Sequence, residues 1–303
     1  MRPAQDALAA RLREAFPEFG ADDARTFAAM LLAGHGPGLV DLPEPEFLAR
    51  VRRDRDYSPS RLVPDAAAVL DRYAEESRKA RETVPWKEIA YGDDPMARID
   101  LFPADGPLLI YIHGGYWQEL DKSDSAFMVP GLHAQGVTVA VLGYGLAPRL
   151  DLDAIVAMVR AGVRFLTGAA GSRPVYLAGS SAGAHLAAMC LPDERVSGAI
   201  LLSGVYDLEP LVGTYINGAV GMDEATARRN SPLRLPIETP PSIVARGERE
   251  PAGFSEQHEA WLRAHPGDSL IVQDRNHFDL PLDLGDPSTT LGRKALELMG
   301  VRP

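Results

Sequence analysis

Gly179-Ser180-Ser181-Ala182-Gly183 stands between an apolar run, Pro174-Val175-Tyr176-Leu177-Ala178, and a small-residue stretch, Ala184-His185-Leu186-Ala187-Ala188-Met189. The run reads as a short buried strand and the stretch as a helix, so the pentapeptide falls on a strand-to-helix turn. This is the G-x-S-x-G pattern of a nucleophile elbow, a strained turn that exposes a serine hydroxyl for attack on a carbonyl. The flanking glycines suit a helix packed so closely on a strand that β-carbons have no room. With this Gly and Ser content the pattern arises by chance roughly once in eight such chains, so it needs a second signal. That signal is His113-Gly114-Gly115-Tyr116-Trp117, at the end of the apolar strand Leu108-Leu109-Ile110-Tyr111-Ile112. Two distant motifs of one machine, in the right order and context, point to a serine hydrolase.

The surrounding pattern supplies a fold to match. From Trp86 onward, predicted strands alternate with helices. The strands are Lys87–Tyr91, Ala97–Phe102, Leu108–Ile112, Val137–Leu142, Val175–Ala178, Gly198–Leu202, Ser242–Ala245 and Ser269–Val272. The helices are Asp124–Gln135, Leu152–Leu166, Ser181–Cys190, Gly253–His265 and Thr289–Met299. Strands separated by helices require right-handed crossovers and a mainly parallel sheet covered on both faces. The first two strands have no helix between them and are expected to pair as an antiparallel edge. The expectation is an α/β-hydrolase fold: an eight-stranded, mostly parallel sheet flanked by helices. Residues 85–303 would form this catalytic domain, and residues 1–84, rich in Ala, Arg and acidic residues, a helical N-terminal extension or cap. The irregular stretch Leu211–Arg234 is a second candidate cap over the site.

Composition narrows the class. The 303 residues carry a formal net charge of −11 and are 46% hydrophobic, enough for a large core and unlike a basic nucleic-acid binder. No run is long enough to span a bilayer, and Met1 to Phe16 lacks the apolar core of a secretory signal. The single cysteine, Cys190, cannot form an intramolecular disulfide, which suits a reducing compartment. A cytoplasmic protein is expected, acting on a small-molecule acyl substrate, with neither nucleic acid nor membrane as partner. No metal-ligand spacing and no Gly-rich phosphate loop occurs, so no metal and no cofactor are expected.

Ser181 needs a base and an acid, and in this fold the chain order is serine, acid, histidine. His277, in Gln273-Asp274-Arg275-Asn276-His277-Phe278-Asp279, follows the last predicted strand and is the candidate base. After the preceding strand comes Arg246-Gly247-Glu248-Arg249-Glu250-Pro251, and either carboxylate would orient the imidazole. Asp207 is read as a helix or turn cap. His185 is expected to pack beneath the elbow, and His113 to hold the glycine loop through a backbone hydrogen bond. Gly114, Gly115 and Ala182 would present N–H groups to the developing oxyanion. Tyr116 and Trp117 are expected to line the substrate pocket.

These motifs resemble the arylformamidase (kynurenine formamidase) branch of the α/β-hydrolases, with relatives among hormone-sensitive-lipase-like esterases. The resemblance lies in His113-Gly114-Gly115-Tyr116-Trp117, in Gly179 to Leu186 and in Ser203-Gly204-Val205-Tyr206-Asp207-Leu208. Tyr57-Ser58-Pro59-Ser60 and His277-Phe278-Asp279-Leu280 extend it, so it covers about residues 57–299. In that family an acid followed by phenylalanine and glutamine precedes the catalytic histidine. Glu250, Phe254 and Gln257 match the spacing, so the resemblance favours Glu250 over Glu248, with glutamate where the family usually has aspartate. It implies hydrolysis of an aryl formamide such as N-formylkynurenine through a formyl-enzyme. A carboxylesterase on small acyl esters would share every residue, and a non-catalytic ligand-binding homologue is the alternative of another class. The first 56 residues lie outside the resemblance, with altered pocket access or pairing into a homodimer as roles to look for.

Overall fold

A computed structural model describes residues 2–192 and 195–302. Four helices lead the chain: α1 (Arg2–Ala15), α2 (Ala21–His35), α3 (Glu44–Asp56) and α4 (Ala66–Thr83). The strands are β1 (Lys87–Ala90), β2 (Arg98–Phe102), β3 (Leu108–Ile112), β4 (Thr138–Leu142), β5 (Val175–Ser180), β6 (Gly198–Leu202), β7 (Ser242–Arg249) and β8 (Asp268–Asn276). Between and after them lie α5 (Val129–Ala134), α6 (Leu152–Ala169), α7 (Ala182–Cys190), α8 (Asn217–Val220), α9 (Glu224–Arg229), α10 (Ala252–Ala264) and α11 (Thr290–Leu298). All eight strands join one sheet in the order β1-β2-β4-β3-β5-β6-β7-β8. β1 pairs β2 antiparallel and β2 pairs β4 antiparallel; every pairing from β4 to β8 is parallel.

Alternation along the central strands builds two cores. On β3, Leu108, Ile110 and Ile112 face one cluster, where α6 and α7 pack, whereas Leu109 and Tyr111 face the other, covered by α4, α5 and α11. Helix α6 earns its place through a stripe of buried Leu152, Ile155, Val156, Val159, Val163 and Leu166, spaced at three and four, and Asp151 caps its start by accepting from Ala154 N–H. A third core is confined to the N-terminal helices, from Leu8 to Val51, with Tyr215 packed against it. Among the described residues no helix is long and apolar enough to cross a membrane.

Two boundaries differ from expectation for physical reasons. The expected helix at Asp124–Gln135 is a short 3₁₀ turn, Lys122–Asp124, followed by α5, which begins at Val129 with Pro130 in its first turn. Proline is tolerated there, but in a helix interior it would clash with the preceding turn. β7 and β8 run past their apolar stretches, to Arg249 and Asn276, because backbone pairing continues where the residues are already polar. A register irregularity between Gly247 and Arg249 bends β7 at its carboxyl end.

Candidate active site

The elbow sits at the carboxyl end of β5, in the middle of the sheet. Ser181 adopts φ +56° and ψ −120°, a backbone that costs a non-glycine residue about 1–3 kcal/mol. Packing enforces it. A Cβ on Gly179 would run into the backbone of Gly183, and one on Gly183 into the Ile112 carbonyl, so β3, β5 and α7 meet at van der Waals limits. Ser181 N–H donates to the Leu202 carbonyl at 2.8 Å, and its own carbonyl accepts from His185 N–H, which starts α7. Ala182, the first residue of α7, keeps one of the N–H groups that helix geometry leaves unpaired.

Glu250 follows the bend in β7, and His277 follows β8. His277 Nδ1 lies 3.1 Å from Glu250 Oε2, and the other carboxylate oxygen accepts from Ser203 Oγ and Gly247 N–H, each at 2.6 Å. The Glu250 side chain is fully buried. Burial alone would push its pKa up, but the hydrogen bond and charge of His277, with those from Ser203 and Gly247, hold it below the ordinary carboxylate value. An ionised carboxylate only accepts, so the proton of a neutral His277 sits on Nδ1 and Nε2 is left as a base. The Phe254 ring, 4.4 Å from the imidazole centroid, fixes its plane.

The other carboxylates are elsewhere. Glu248 is exposed and accepts from Asp274 N–H at 3.1 Å, and Asp207 accepts from Glu209 N–H and pairs with Arg234. Gln257 is buried and bridges Tyr206 N–H, Asp207 N–H and the Asp207 carbonyl, which pins the loop after β6.

The glycine loop after β3 presses on the elbow. A Cβ on Gly114 would sit 2.8 Å from the Ser180 carbonyl oxygen and 3.3 Å from Ser181 Cβ. Gly115 has φ +93°, and its carbonyl accepts from both Gln118 and Glu119 N–H at 2.9 Å. His113 Nδ1 donates to the Gly114 carbonyl at 2.9 Å, and its ring stacks on Tyr144. Tyr116 and Trp117 also have positive φ, 48° and 61°, and side-chain hydrogen bonds hold them there. Tyr116 Oη donates to the Tyr57 carbonyl at 2.7 Å. Trp117 Nε1 donates to His185 Nδ1 at 3.1 Å, and His185 Nε2 donates to the Asn230 carbonyl at 2.7 Å. Burial depresses the His185 pKa to about 4, against the pull of its bond to Asn230, so the ring is neutral and this chain of donors is intact.

One cavity of about 450 Å³ brings these parts together: Gly114, Gly115, Ser181 and His277 line it. Tyr116 is on its wall. Trp117 is not: it is completely buried beneath the elbow, where its indole N–H finds an acceptor, so its place is in the frame rather than the pocket.

The opposite wall comes from the two segments expected as caps, residues 1–84 and Leu211–Arg234, although the sequence singles out none of its residues. Leu70 and Tyr73 come from α4, Met30 and Gly34 from α2, and Tyr215 and Ile216 from the irregular stretch after β6. A Cβ on Gly34 would run into the Tyr215 carbonyl, so α2 lies directly on that stretch. Asp54 ties the two, accepting from Tyr215 N–H at 2.7 Å and from His35 Nε2 at 2.8 Å. Of the N-terminal helices, α2 and α4 therefore roof the cavity. Nothing in their periodicity signals this, since a roof helix and any surface helix bury the same kind of stripe.

The match to known proteins follows the same residues. The BD-FAE family model matches residues 102–196, which contain both the glycine loop and the elbow. Kynurenine formamidase from Danio rerio is 33% identical over 278 residues, covering 80% of this chain and 94% of that protein. A solved structure of a candidate thioesterase from Silicibacter sp. superposes with a TM-score of 0.73 at 29% identity, covering 78% of this chain and 96% of that one. Esterase B from Lactobacillus rhamnosis shares the fold at 19% identity, with a TM-score of 0.59 and 80% of this chain covered. With its eight-stranded sheet, its elbow and this match along almost the whole of a curated relative, the chain is an α/β-hydrolase that belongs to the kynurenine formamidase family.

Proposed function

We propose that this hydrolase deformylates aryl formamides, with N-formylkynurenine as the reference substrate, through a formyl-enzyme on Ser181. The observation that carries the reading is the pairing of His277 with the buried Glu250 at the wall of the same cavity as Ser181. That cavity is large enough for one aryl ring with a short side arm, and Tyr73, Tyr116, Phe127, Tyr215 and Phe278 supply aromatic walls. The similarity to kynurenine formamidase supports a formyl group among the small acyl groups such a site accepts.

In the proposed reaction His277 Nε2 takes the Ser181 hydroxyl proton as Oγ attacks the formyl carbon. The tetrahedral oxyanion is held by N–H groups of Gly114, Gly115 and Ala182. Each donor is worth about 3 kcal/mol, because it is already aimed and needs no reorganisation. Glu250 stabilises the imidazolium without taking its proton. His277 then protonates the departing aryl amine, and a water, activated by the same imidazole, releases formate from Ser181. The cytoplasm is the proposed location, in keeping with a single cysteine, Cys190, that is buried on α7.

Paired assays on N-formylkynurenine and p-nitrophenyl acetate test the reading, with fluorophosphonate labelling of Ser181 alongside. Turnover of the formamide with labelling at Ser181 supports it. Ester turnover without formamide turnover assigns the site to a carboxylesterase, and failure to label Ser181 in folded protein removes the catalytic reading.

A further inference from the structure

The cavity wall holds a buried hydroxyl with no partner among the described residues. Tyr73, Tyr111, Tyr116 and Tyr215 all line the cavity. Three of these hydroxyls are engaged: Tyr73 Oη donates to the Phe278 carbonyl, Tyr116 Oη donates to the Tyr57 carbonyl, and Tyr215 Oη accepts from Ser58 Oγ at 3.3 Å. Tyr111, on β3, is 2% exposed, and its hydroxyl makes no hydrogen bond with any described residue. Burial alone pushes its pKa up, so the phenol stays protonated and keeps a proton to donate. A buried donor without a partner is costly, and an acceptor on a bound molecule removes that cost. Ser180 marks the same corner as polar. It is buried, lines the cavity, and its side chain has no hydrogen-bond partner among the described residues. In the β3–β5 register Tyr111 stands beside Ala178, so Ser180, two residues further on, shares its face of the sheet.

This corner suits the leaving group. His277 has to protonate the departing amine, so the aryl ring lies on the His277 side of Ser181. A run of contacts joins that side to Tyr111. The His277 and Phe278 rings meet edge-on at 5.5 Å, and Tyr73, which holds the Phe278 carbonyl, stacks on Phe127 at 4.4 Å. Phe127 in turn meets the Tyr111 ring edge-on at 5.9 Å. Ser180 directly precedes the nucleophile. An acceptor that reaches this corner while the formyl carbon is at Ser181 therefore lies close to the scissile nitrogen, on the neighbouring ring carbon.

We propose that Tyr111 is a specificity-determining residue, whose hydroxyl donates a hydrogen bond to a carbonyl oxygen ortho to the formamide. The assignment rests on the aryl formamidase reading above and refines it. The formyl group goes to Ser181, the ring to Tyr73, Phe127 and Phe278, and the ortho carbonyl to Tyr111 Oη. N-formylkynurenine carries such a carbonyl and formanilide does not. An aryl formamide without it leaves the Tyr111 donor buried and unpaired, so the site holds it and its transition state less well.

The test compares kcat/KM for two isomers, ortho-acetylformanilide and para-acetylformanilide, on the unaltered protein and on Tyr111→Phe. The para isomer carries the same electron-withdrawing group with its oxygen far from the nitrogen. Phenylalanine keeps the ring against Phe127 and removes only the hydroxyl. Dividing the ortho value by the para value on the same protein cancels both the intrinsic reactivity of the isomers and general damage in the variant. The ratio is expected to fall about fivefold in Tyr111→Phe, the size of one neutral hydrogen bond. A ratio that is the same in the variant and the unaltered protein overturns the proposal, and it does so even if both rates drop together, since that is a structural role. Absence of turnover of either isomer by the unaltered protein removes the formamidase reading and the proposal with it, a result distinct from turnover with an unchanged ratio.

Discussion

Glu250 Oε2 stands 3.1 Å from His277 Nδ1, while Glu250 Oε1 receives two further hydrogen bonds, from Ser203 Oγ and Gly247 N–H. A glutamate has one more methylene than the aspartate usual in this family, and those two donors on its second oxygen are what immobilise the longer arm. Glu250→Gln should lower kcat by 10²- to 10⁴-fold with little change in KM, since the amide presents a donor where the imidazole needs an acceptor. Glu248→Gln, at an exposed position bonded to Asp274 N–H, should stay within about twofold of the unaltered enzyme. Steady-state kinetics on the two variants separates the two carboxylates.

Ser203 acts through Glu250 and is a positioning residue. It is buried, has φ +48°, and donates at 2.6 Å to a charged acceptor. Such a bond is worth about 1.5–3 kcal/mol, so Ser203→Gly, which accepts the backbone conformation but lacks the hydroxyl, should lower kcat about tenfold or more. Its pH–rate profile should also move, because the carboxylate that stabilises the His277 imidazolium is less well held. Loss of stability with an unchanged profile would make Ser203 merely structural.

The roof makes a separate prediction. Gly34→Ala places a methyl group against the Tyr215 carbonyl, where α2 and the stretch before α8 have no space. The roof must shift, at a cost of about 1–3 kcal/mol in stability. KM should rise more than kcat falls, because Tyr215 and Ile216 line the cavity while Ser181 and His277 sit on the sheet. Thermal melts and kinetics on this variant measure both effects.

Acid should weaken the frame beneath the elbow. His185 has its pKa depressed to about 4 by burial, against about 6.5 in the unfolded chain. The unfolded state therefore binds the proton more readily, and the stability due to neutral His185 is fully present above pH 6.5 and lost as pH falls from there towards 4. The loss approaches about 3 kcal/mol for this one residue. His113, depressed to about 4 for the same first reason, adds in the same direction. Urea unfolding at pH 7.5, 5.5 and 4.5 should show this decline, and His185→Gln should flatten part of it.

Much of this was legible in the sequence, and the reason is specific. β3, β4, β5 and β6 are buried on both faces, so their composition alone marks them, and the elbow glycines are forced by backbone contacts that only glycine permits. Chain order points to His277 and leaves Glu248 and Glu250 both open as its partner; the family resemblance favours Glu250. Tyr116 and Trp117 both follow the two glycines of the loop, and the sequence expects both on the pocket wall. Successive residues point apart, however, and the positive φ of both turns the indole towards His185. Ser203 stands in a motif shared with the family and Tyr215 in the candidate cap Leu211–Arg234, but no local pattern tells what either side chain or backbone holds. The role of each depends on a partner far along the chain, Glu250 for one and Asp54 for the other.

The most direct measurement is steady-state hydrolysis of N-formylkynurenine by the purified protein, with Ser181→Ala, His277→Ala and the double variant assayed alongside. The account predicts kcat/KM above ~10⁴ M⁻¹s⁻¹ for the unaltered enzyme, near-complete loss in each single variant and little further loss in the double. Negligible formamide turnover by a protein that still cleaves p-nitrophenyl acetate through Ser181 would contradict the formamidase claim while leaving the hydrolase in place.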